Sequence, residues 1–351
     1  MRAKFPELTY ASPSDHRVKR WIIHTIEGLS GRKRFLPLYK AWRDFIVPRT
    51  DRAFTDMLRL IEVSLEIKAR HWPPVLEPKT PLVMIANHPF GIGDGIASLA
   101  LAEALNRPFK VLINNQLLRI PEIRPYSLPI DFEETREAQL LNLKTRKEAL
   151  AALAVGTTIV VFPAGGVATA RRPFGKAEDL PWKLFTAKLI QSAKASVLPV
   201  YFEGQNGPLF QLVSRFSLTL RLSLLVSEFR KFAGSTVKIR IGEVVPFAEL
   251  RSGNDRKMMT EELHRLVHGL ADPDPEAETS RIGTAGRRVG RKARGVGRLA
   301  KRKARRAGRL ARHKVRRVRR RVRVRAMRKT DGAKPAPMHP SAGNRDGVRV
   351  G

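Results

Sequence analysis

The residues of this chain best suited to chemistry are a histidine and an aspartate six positions apart, His88 and Asp94. They lie in a loop that follows a short apolar run, Pro81–Ala86, and precedes a stretch rich in Ala and Leu. The glycines between them, Gly91 and Gly93, permit the tight backbone that would bring the two side chains together. An aspartate that pairs with one imidazole nitrogen leaves the other nitrogen available as a general base. The pair therefore predicts proton abstraction, in the manner of a catalytic triad without its serine.

A purely structural interpretation of the same loop stays open. Asp94 opens a predicted helix and would serve as an ordinary N-cap, while His88 would bond a loop carbonyl. Two observations favour chemistry: Asn87 directly precedes the histidine, and a second glycine loop follows a later apolar run.

That second loop follows the run Thr157–Phe162 and contains a proline, two adjacent glycines and a pair of arginines. Glycines expose backbone N–H groups and arginine presents a forked cationic donor, so an anionic head group or a developing oxyanion would find partners here. The alternative is a solvated turn with surface arginines. The residues that carry this interpretation are Phe162, Pro163, Gly165, Gly166, Arg171 and Arg172.

The composition limits the classes of protein to which the chain can belong. It has 351 residues, of which 42% are hydrophobic, and contains no cysteine. This is enough apolar material for one sizeable core, so a wholly disordered chain and a disulfide-stapled miniprotein are excluded. Thiol nucleophiles and thiolate metal sites are excluded as well. The N-terminus lacks the apolar core of a signal peptide, so we expect a cytoplasmic location.

The positive charge is concentrated at one end of the chain. The formal net charge is +35, and residues 281–351 contain 27 Lys and Arg against 2 acidic residues, which leaves +10 for residues 1–280. Self-repulsion at this density opposes compaction, so we expect a disordered basic tail over 276–351. A polybasic segment binds anionic lipid and nucleic acid alike. Because the tail lacks aromatic residues for base stacking, we expect residues 281–329 to contact an anionic membrane surface rather than nucleic acid.

The rest of the chain divides into a helical part and an alternating part. Residues 1–78 predict an N-terminal helical region, with an apolar face at three-to-four spacing in its last helix. Over residues 79–275, β-branched runs alternate with helical stretches, which predicts an α/β domain with a mostly parallel sheet flanked by helices. Such a sheet holds its ligands at the carboxyl ends of its strands, where both loops lie. The predicted strands are Pro81–Ala86, Phe109–Ile113, Thr157–Phe162, Ser196–Phe202 and Thr236–Ile241, and the predicted helices are Asp15–Leu29, Arg34–Ile46, Asp51–Arg70, Asp94–Leu105, Glu133–Ala154, Pro181–Ala193, Leu218–Phe232 and Asp255–Leu270.

The motifs, in their order along the chain, resemble those of the glycerolphosphate and lysophospholipid O-acyltransferase superfamily. The blocks of that superfamily read Asn-His-x4-Asp, Phe-Pro-Glu-Gly and a later hydrophobic-Pro-Val strand. Here Asn87-His88 with Asp94, then FPAG, then LPV follow in the same order, and the resemblance covers residues 81–246. The longer segments NHPFGIGDG, FPAGGVAT and LPVYFEGQNG are similar to the branch often labelled haemolysin-like, which is related to acyltransferases of ornithine-lipid synthesis.

This resemblance implies a glycerolphosphate-acyltransferase-like fold and an acyl transfer. His88 would deprotonate the hydroxyl of a lyso-lipid, such as 1-acylglycerol-3-phosphate or a lyso-ornithine lipid, and Asp94 would orient the histidine. The hydroxyl would attack a fatty-acyl thioester on coenzyme A or acyl carrier protein, without a covalent acyl-enzyme. No cofactor and no metal are implied, and the enzyme would bind peripherally to the inner, cytoplasmic membrane face.

Three departures from the superfamily pattern bear on the site. Five residues rather than four separate His88 from Asp94, so their pairing depends on the glycines of the loop. Ala164 stands where the superfamily has a glutamate associated with the acceptor head group. The middle block usually ends in a phosphate-contacting arginine, but Asp131 stands near that place. The possible substitutes are Arg119, Arg124 and Arg136. The candidate substrate-binding residues are Asn87, Arg119, Phe162, Pro163, Gly165, Gly166, Arg171 and Arg172.

Three other patterns point to different structures or functions. The glycines at 91, 93 and 95 imitate a dinucleotide-binding loop, but the next strand ends without the acid that would hold a ribose. His264 and His268 have the spacing of two zinc ligands, yet no third ligand accompanies them. The run Ala149–Ala170 is uncharged and long enough to cross a bilayer, but a glycine and Pro163 break it, which favours a helix end, a strand and a loop.

Two questions of function remain open in the sequence. The helix Leu218–Phe232 would either line an acyl-chain groove or form part of the core, and we favour the core. The competing class of function is a non-enzymatic protein that binds anionic lipid or nucleic acid on a degenerate acyltransferase body.

Overall fold

The computed structural model describes most of the body of the chain. The described residues are 32–133, 135–172, 175–214, 218–251, 253 and 255–271. The expected helix Asp15–Leu29 and the expected tail over 276–351 lie outside them, and both stay predictions.

Seven strands form a mostly parallel sheet, which confirms the predicted fold class. The strands of the sheet are β1 (Ser64–Ala69), β2 (Leu82–Ala86), β3 (Phe109–Asn114), β4 (Ser127–Ile130), β5 (Thr158–Val161), β8 (Ser196–Phe202) and β9 (Thr236–Ile241). Two further strands, β6 (Thr169–Ala170) and β7 (Ala177–Glu178), pair with each other in a separate hairpin. Across the sheet the order is β1-β9-β8-β2-β5-β3-β4. The five strands from β8 to β4 run parallel, β9 runs antiparallel to β8, and β1 runs parallel to β9. The carboxyl ends of the five parallel strands therefore meet at one edge.

Helices cover both faces of this sheet. They are α1 (Arg32–Ala41), α2 (Ala53–Leu60), α3 (Ile92–Ala104), α4 (Arg136–Ala154), α5 (Leu184–Ala193), α6 (Pro208–Val213), α7 (Leu218–Phe232) and α8 (Arg256–His268), with helical turns at Trp42–Ile46, Val47–Arg49, Asn115–Arg119, Pro121–Tyr126, Phe247–Glu249 and Gly269–Ala271. Side chains of α2 and α3 share one hydrophobic core, and those of α4, α5 and α8 share the other.

Strand β2 shows why the central runs are apolar at every position. Its residues are all buried, and they alternate between the two cores, Met84 in one and Val83 and Ile85 in the other. A parallel strand covered on both faces needs no polar side. Each such side chain contributes about 1.5–3 kcal/mol by leaving water, so β2 is a rigid base for the loop that follows it.

The predicted helix Asp51–Arg70 is wrong in its second half. α2 ends at Leu60, Glu62 adopts a left-handed φ of 60°, and the chain continues as the edge strand β1. Leu65 and Ile67 fit a helical face and a strand face alike, because residues two apart also share one side of a strand. Pairing with β9 decides in favour of the strand, which joins the sheet from before the boundary expected at residue 78.

The uncharged run Ala149–Ala170 divides as the sequence predicts. α4 ends at Ala154, β5 follows, and the loop with Pro163 comes next. Within the ranges given above, no helix is both long and apolar enough to pass through a bilayer. The sequence did not predict β4, α6 or the β6–β7 hairpin, because elements this short contain too few residues to show a periodic pattern.

Candidate active site

The histidine and the aspartate of the first loop lie against each other at the carboxyl end of β2. His88 Nδ1 is 3.1 Å from Asp94 Oδ1. Asp94 is fully buried, whereas 16% of the His88 side chain is exposed. Neither atom has a hydrogen-bond partner of good alignment among the described residues, so a small rotation of the imidazole closes the bond between them. A buried carboxylate at this distance stabilises an imidazolium.

Asp94 is held by the turn that it helps to form. Its second oxygen, Oδ2, accepts the Phe90 backbone N–H at 2.8 Å. α3 begins at Ile92, so Asp94 lies inside the first turn and is not the N-cap. The carboxylate reaches back toward the start of the helix in the manner of a capping box. This contact fixes the oxygen that faces His88.

The two glycines of the first loop serve different purposes. Gly91 has a φ of 84°, in the left-handed region that favours glycine, and it makes the turn that brings Asp94 back. At Gly93 a Cβ atom would lie 2.5 Å from the Phe232 ring, so this glycine permits close packing against α7. The additional residue between His88 and Asp94 is therefore accommodated by the backbone at Gly91.

The His88 backbone and ring are fixed by three other segments. The N–H donates to Asp179 Oδ1 at 3.1 Å, and the carbonyl accepts the Ala168 N–H at 2.8 Å. The ring packs on Phe162, with centroids 4.2 Å apart. In the part of the chain that the structure describes, Nε2 has no hydrogen-bond partner, and it is therefore available to a substrate.

Asp179 is a site residue that the sequence did not reveal. Its side chain is 2% exposed and also accepts the Trp182 indole N–H at 3.0 Å. Burial alone would raise the pKa of Asp179, but donors from His268, the His88 backbone and Trp182 outweigh it and lower the pKa. The carboxylate thus stays ionised beside His88. No local pattern signals this contact, because the two residues are 91 positions apart.

The two histidines of α8 complete this buried cluster. His268 Nε2 faces Asp179 Oδ2 at 3.4 Å, and the His264 and His268 rings stack with centroids 4.1 Å apart. Burial, followed by the charge of His268, lowers the pKa of His264. Among the described residues there is no group of three or more side chains arranged to hold a metal ion. The zinc-like spacing on α8 instead positions rings beside Asp179.

Asn87 fastens the first loop to the neighbouring strand. Its amide donates to the Phe202 carbonyl at 3.0 Å and accepts the Phe202 N–H at 2.7 Å. The side chain is buried and continues the pairing of β2 with β8 beyond the end of β2. Both amide atoms are therefore occupied within the protein, and the substrate contact expected of Asn87 stays a prediction.

The second glycine loop reaches the same edge of the sheet from β5. Pro163 is buried, and its carbonyl accepts the Lys183 N–H at 2.9 Å. Gly165 has a left-handed φ of 68°, and a Cβ there would lie 2.9 Å from the Phe132 ring. Ala164, at the position where the superfamily has glutamate, is buried. The residue at that position therefore faces the protein interior, whereas Gly165 is exposed and Gly166 is half-buried.

The three arginines predicted to bind substrate are all exposed. Arg119 ends the helical turn that follows β3. Arg171 is 86% exposed and forms an ion pair with Glu178 at 2.9 Å, and Arg172 lies beside it at the surface. No contact joins any of them to His88 in the described ranges, so their part in binding stays a prediction.

A fourth arginine, which the sequence analysis did not select, contacts the second loop. Arg221 of α7 donates to the Val167 carbonyl and lies over the Phe210 ring, 5.9 Å from its centroid. Burial lowers the pKa of Arg221, although a guanidinium remains charged at neutral pH. A signal was available, because this single charge interrupts the apolar run Leu218–Leu225.

The remainder of α7 bears on the choice between groove and core. Leu225 and Phe232 are buried, and the Phe232 ring lies 5.6 Å from the Phe90 ring. This part of the helix is core, and it supports the loop between His88 and Asp94.

Comparison with known proteins gives one match that covers most of this site. A family model described as Acyltransferase matches residues 70–268. No curated protein that was searched matches the chain. Among solved structures, the chain is similar to the crystal structure of the 1-acyl-sn-glycerophosphate (LPA) acyltransferase PlsC from Thermotoga maritima, with 18% identity, coverage of 73% of this chain and 98% of that chain, and a TM-score of 0.41.

The residues matched by the family model include His88, Asp94, both glycine loops and the α8 histidines. They make up more than half of the chain. The chain therefore belongs to this acyltransferase family, as its ordered motifs predicted.

Proposed function

We propose that this protein transfers a fatty acyl group from a thioester of coenzyme A or acyl carrier protein to the hydroxyl of a lyso-lipid. Family membership supports acyl transfer in general. The observation that carries the proposal is the 3.1 Å approach of Asp94 to His88 Nδ1, with Nε2 left available at a partly exposed ring. The acceptor is a lysophospholipid such as 1-acylglycerol-3-phosphate, or a lyso-ornithine lipid.

The proposed reaction uses His88 first as a base and then as an acid. Nε2 takes the proton of the acceptor hydroxyl while the oxygen bonds to the thioester carbonyl carbon. Collapse of the tetrahedral intermediate breaks the C–S bond, and the departing thiolate takes the proton back from the imidazolium. Asp94 stabilises that imidazolium and holds the tautomer that keeps Nε2 basic. The products are an ester and a free thiol.

A backbone donor of the second loop would stabilise the oxyanion of this intermediate. The Gly165 N–H is already used by the Phe162 carbonyl, at 2.9 Å. This leaves the Gly166 N–H of the glycine pair for the substrate. Donors aimed at a developing charge in a site shielded from water lower the barrier because they need no reorganisation during the reaction.

The direct test is turnover with a labelled acyl thioester, offered on coenzyme A and on acyl carrier protein, against a panel of lyso-lipids. We expect one acceptor class to be acylated by the wild type and not by His88→Ala. The matched control is His71→Ala, since His71 is exposed and outside both loops. Absence of turnover with every acceptor, or equal rates for His88→Ala and wild type, would favour the non-enzymatic binding function instead.

We also propose that residues 281–329 bind an anionic membrane surface and so keep the enzyme peripheral to the inner face of the membrane. Each Lys or Arg near such a surface contributes about 1 kcal/mol. Truncation after Asp274 should leave turnover in detergent intact and weaken sedimentation with anionic vesicles, more so at low salt. Neutral vesicles and duplex DNA are the comparison arms. Unchanged sedimentation with anionic vesicles, or stronger loss of DNA binding, contradicts the membrane assignment.

A further inference from the structure

The peptide group between Val167 and Ala168 joins Arg221 to His88. Its N–H donates to the His88 carbonyl at 2.8 Å, and its carbonyl accepts from the Arg221 guanidinium. The N–H and the C=O belong to one planar unit. The bonded guanidinium nitrogen therefore lies within about 8 Å of the His88 carbonyl oxygen, given ordinary peptide dimensions.

The charge of Arg221 is not neutralised by the described part of the protein. Other arginines of the body pair with carboxylates, such as Arg240 with Glu203 at 2.6 Å and Arg171 with Glu178 at 2.9 Å. No carboxylate among the described residues lies within ion-pair distance of Arg221, and its partners there are a carbonyl and an aromatic ring.

The Arg221 side chain is half-buried, and a single carbonyl is its hydrogen-bond partner among the described residues. A guanidinium carries five N–H donors, and one carbonyl accounts for one of them. Burial disfavours the charged form of Arg221, which is why its pKa is lowered. Removing a cation from water without a counter-charge costs free energy. A bound oxyanion would offset that cost.

The second loop brings its second glycine next to Arg221. A Cβ at Gly166 would lie 3.9 Å from Arg221 Nη2 and 3.0 Å from Leu180. Gly166 therefore lies next to the guanidinium, on the loop that carries Phe162. Arg171 and Arg172 branch away along the β6–β7 hairpin, where Arg171 is already paired.

We propose that Arg221 binds an oxyanion of the substrate, a phosphate or a carboxylate, next to the acyl-transfer site. The inference rests on the proposed function and deepens it. The forked guanidinium of Arg221 can donate two parallel hydrogen bonds to either a phosphate or a carboxylate. The phosphates of coenzyme A or of the carrier-protein prosthetic group present the same chemistry, and the experiment separates these two sources.

The test is steady-state kinetics of Arg221→Gln and Arg221→Lys with two acceptors, 1-acylglycerol-3-phosphate and uncharged monoacylglycerol. If the acceptor supplies the oxyanion, Arg221→Gln raises KM for the charged acceptor about tenfold or more and leaves KM for monoacylglycerol unchanged. If the donor supplies it, KM for the thioester rises with both acceptors. Arg221→Lys keeps the charge but loses the fork, so an intermediate KM is expected. Arg256→Gln, at an exposed position, is the charge-matched control.

A second readout does not require turnover. Inorganic phosphate, titrated calorimetrically into the full-length wild type, should bind in a saturable way that His88→Ala retains and Arg221→Gln lacks. If no acceptor is acylated but phosphate binds through Arg221, the proposed function fails and the subsite stands. Unchanged KM values in Arg221→Gln, together with equal phosphate binding, overturn the subsite. Should Arg221→Gln not fold, Arg221→Lys answers both measurements.

Discussion

Two histidine–aspartate pairs lie within one hydrogen-bonded cluster, and they differ in what surrounds the ring. His88 faces Asp94 at 3.1 Å, and His268 faces Asp179 at 3.4 Å. His88 contacts one aromatic side chain, Phe162, and keeps Nε2 unengaged by the described residues. His268 directs Nε2 itself at its aspartate and lies among the rings of Trp182, Tyr201 and His264.

The difference shows that a histidine beside a carboxylate is not by itself a catalytic base. A base needs its second nitrogen directed at the substrate. In the pair with His268, Nε2 faces Asp179 and the ring lies among aromatic side chains. That pair serves the other one, because Asp179 holds the backbone N–H of His88 at 3.1 Å. We propose that the first pair transfers a proton and that the second keeps the first in position.

The largest expected effect separates the two histidines. His88→Ala should lower kcat by roughly 10²–10⁴-fold, the usual contribution of an oriented base. His268→Ala should lower kcat only a few-fold, since its ring faces Asp179 and the side chains of Trp182, Tyr201 and His264. Steady-state rates with the preferred acceptor, together with circular dichroism to check the fold, measure the contrast. Equal losses in the two variants would remove the distinction drawn between the pairs.

The next largest effect is the loss of kcat expected when the charge of Asp94 is removed. Asp94→Asn keeps an oxygen for the Phe90 N–H but removes the charge beside Nδ1, so kcat should fall by roughly 10²–10⁴-fold with KM little changed. A kcat equal to that of the wild type would show that Asp94 only shapes the turn.

Asp179→Asn should lower kcat by changing the position of His88, because Asp179 itself takes no part in the proposed proton transfer. The amide still offers one oxygen but loses its pairing with His268, so the loop shifts and kcat should fall roughly 10- to 100-fold. Its Trp182 contact provides the control: Trp182→Phe removes one donor to Asp179 and keeps the ring, so it should cost less than Asp179→Asn. If Asp179→Asn changes stability but leaves kcat and the pH profile as in the wild type, Asp179 is structural only.

The smallest effect is on stability as pH falls. Folding lowers the pKa of Asp179, so the ionised carboxylate stabilises the native state above its ordinary pKa of 3.8. That contribution disappears as pH falls through the lower folded value. The unfolding free energy of the wild type should therefore exceed that of Asp179→Asn by about 1–3 kcal/mol near pH 6, and the two should converge as pH falls well below 3.8. Urea unfolding at several pH values measures the gap, and a constant gap contradicts the assignment.

The sequence predicted correctly those elements whose own residues form a recognisable pattern. β2 and β5 are continuous apolar runs bounded by turn residues, and both were located within a residue. The contact between His88 and Asp94 was predictable because both belong to one loop with a flexible glycine at its turn. The predicted helix Asp51–Arg70 failed because Leu65 and Ile67 satisfy two periodicities at once.

The sequence by itself determined the alternation of strands and helices, the two glycine loops and the histidine–aspartate pair, since these depend on neighbours within a few residues. Only the tertiary structure decided the order of the strands, the conversion of Ser64–Ala69 into an edge strand, and the arrival of Asp179 and Arg221 at the site. Those contacts join segments distant along the chain. Their free energies come from burial and pairing across the fold, which no local window of residue types contains.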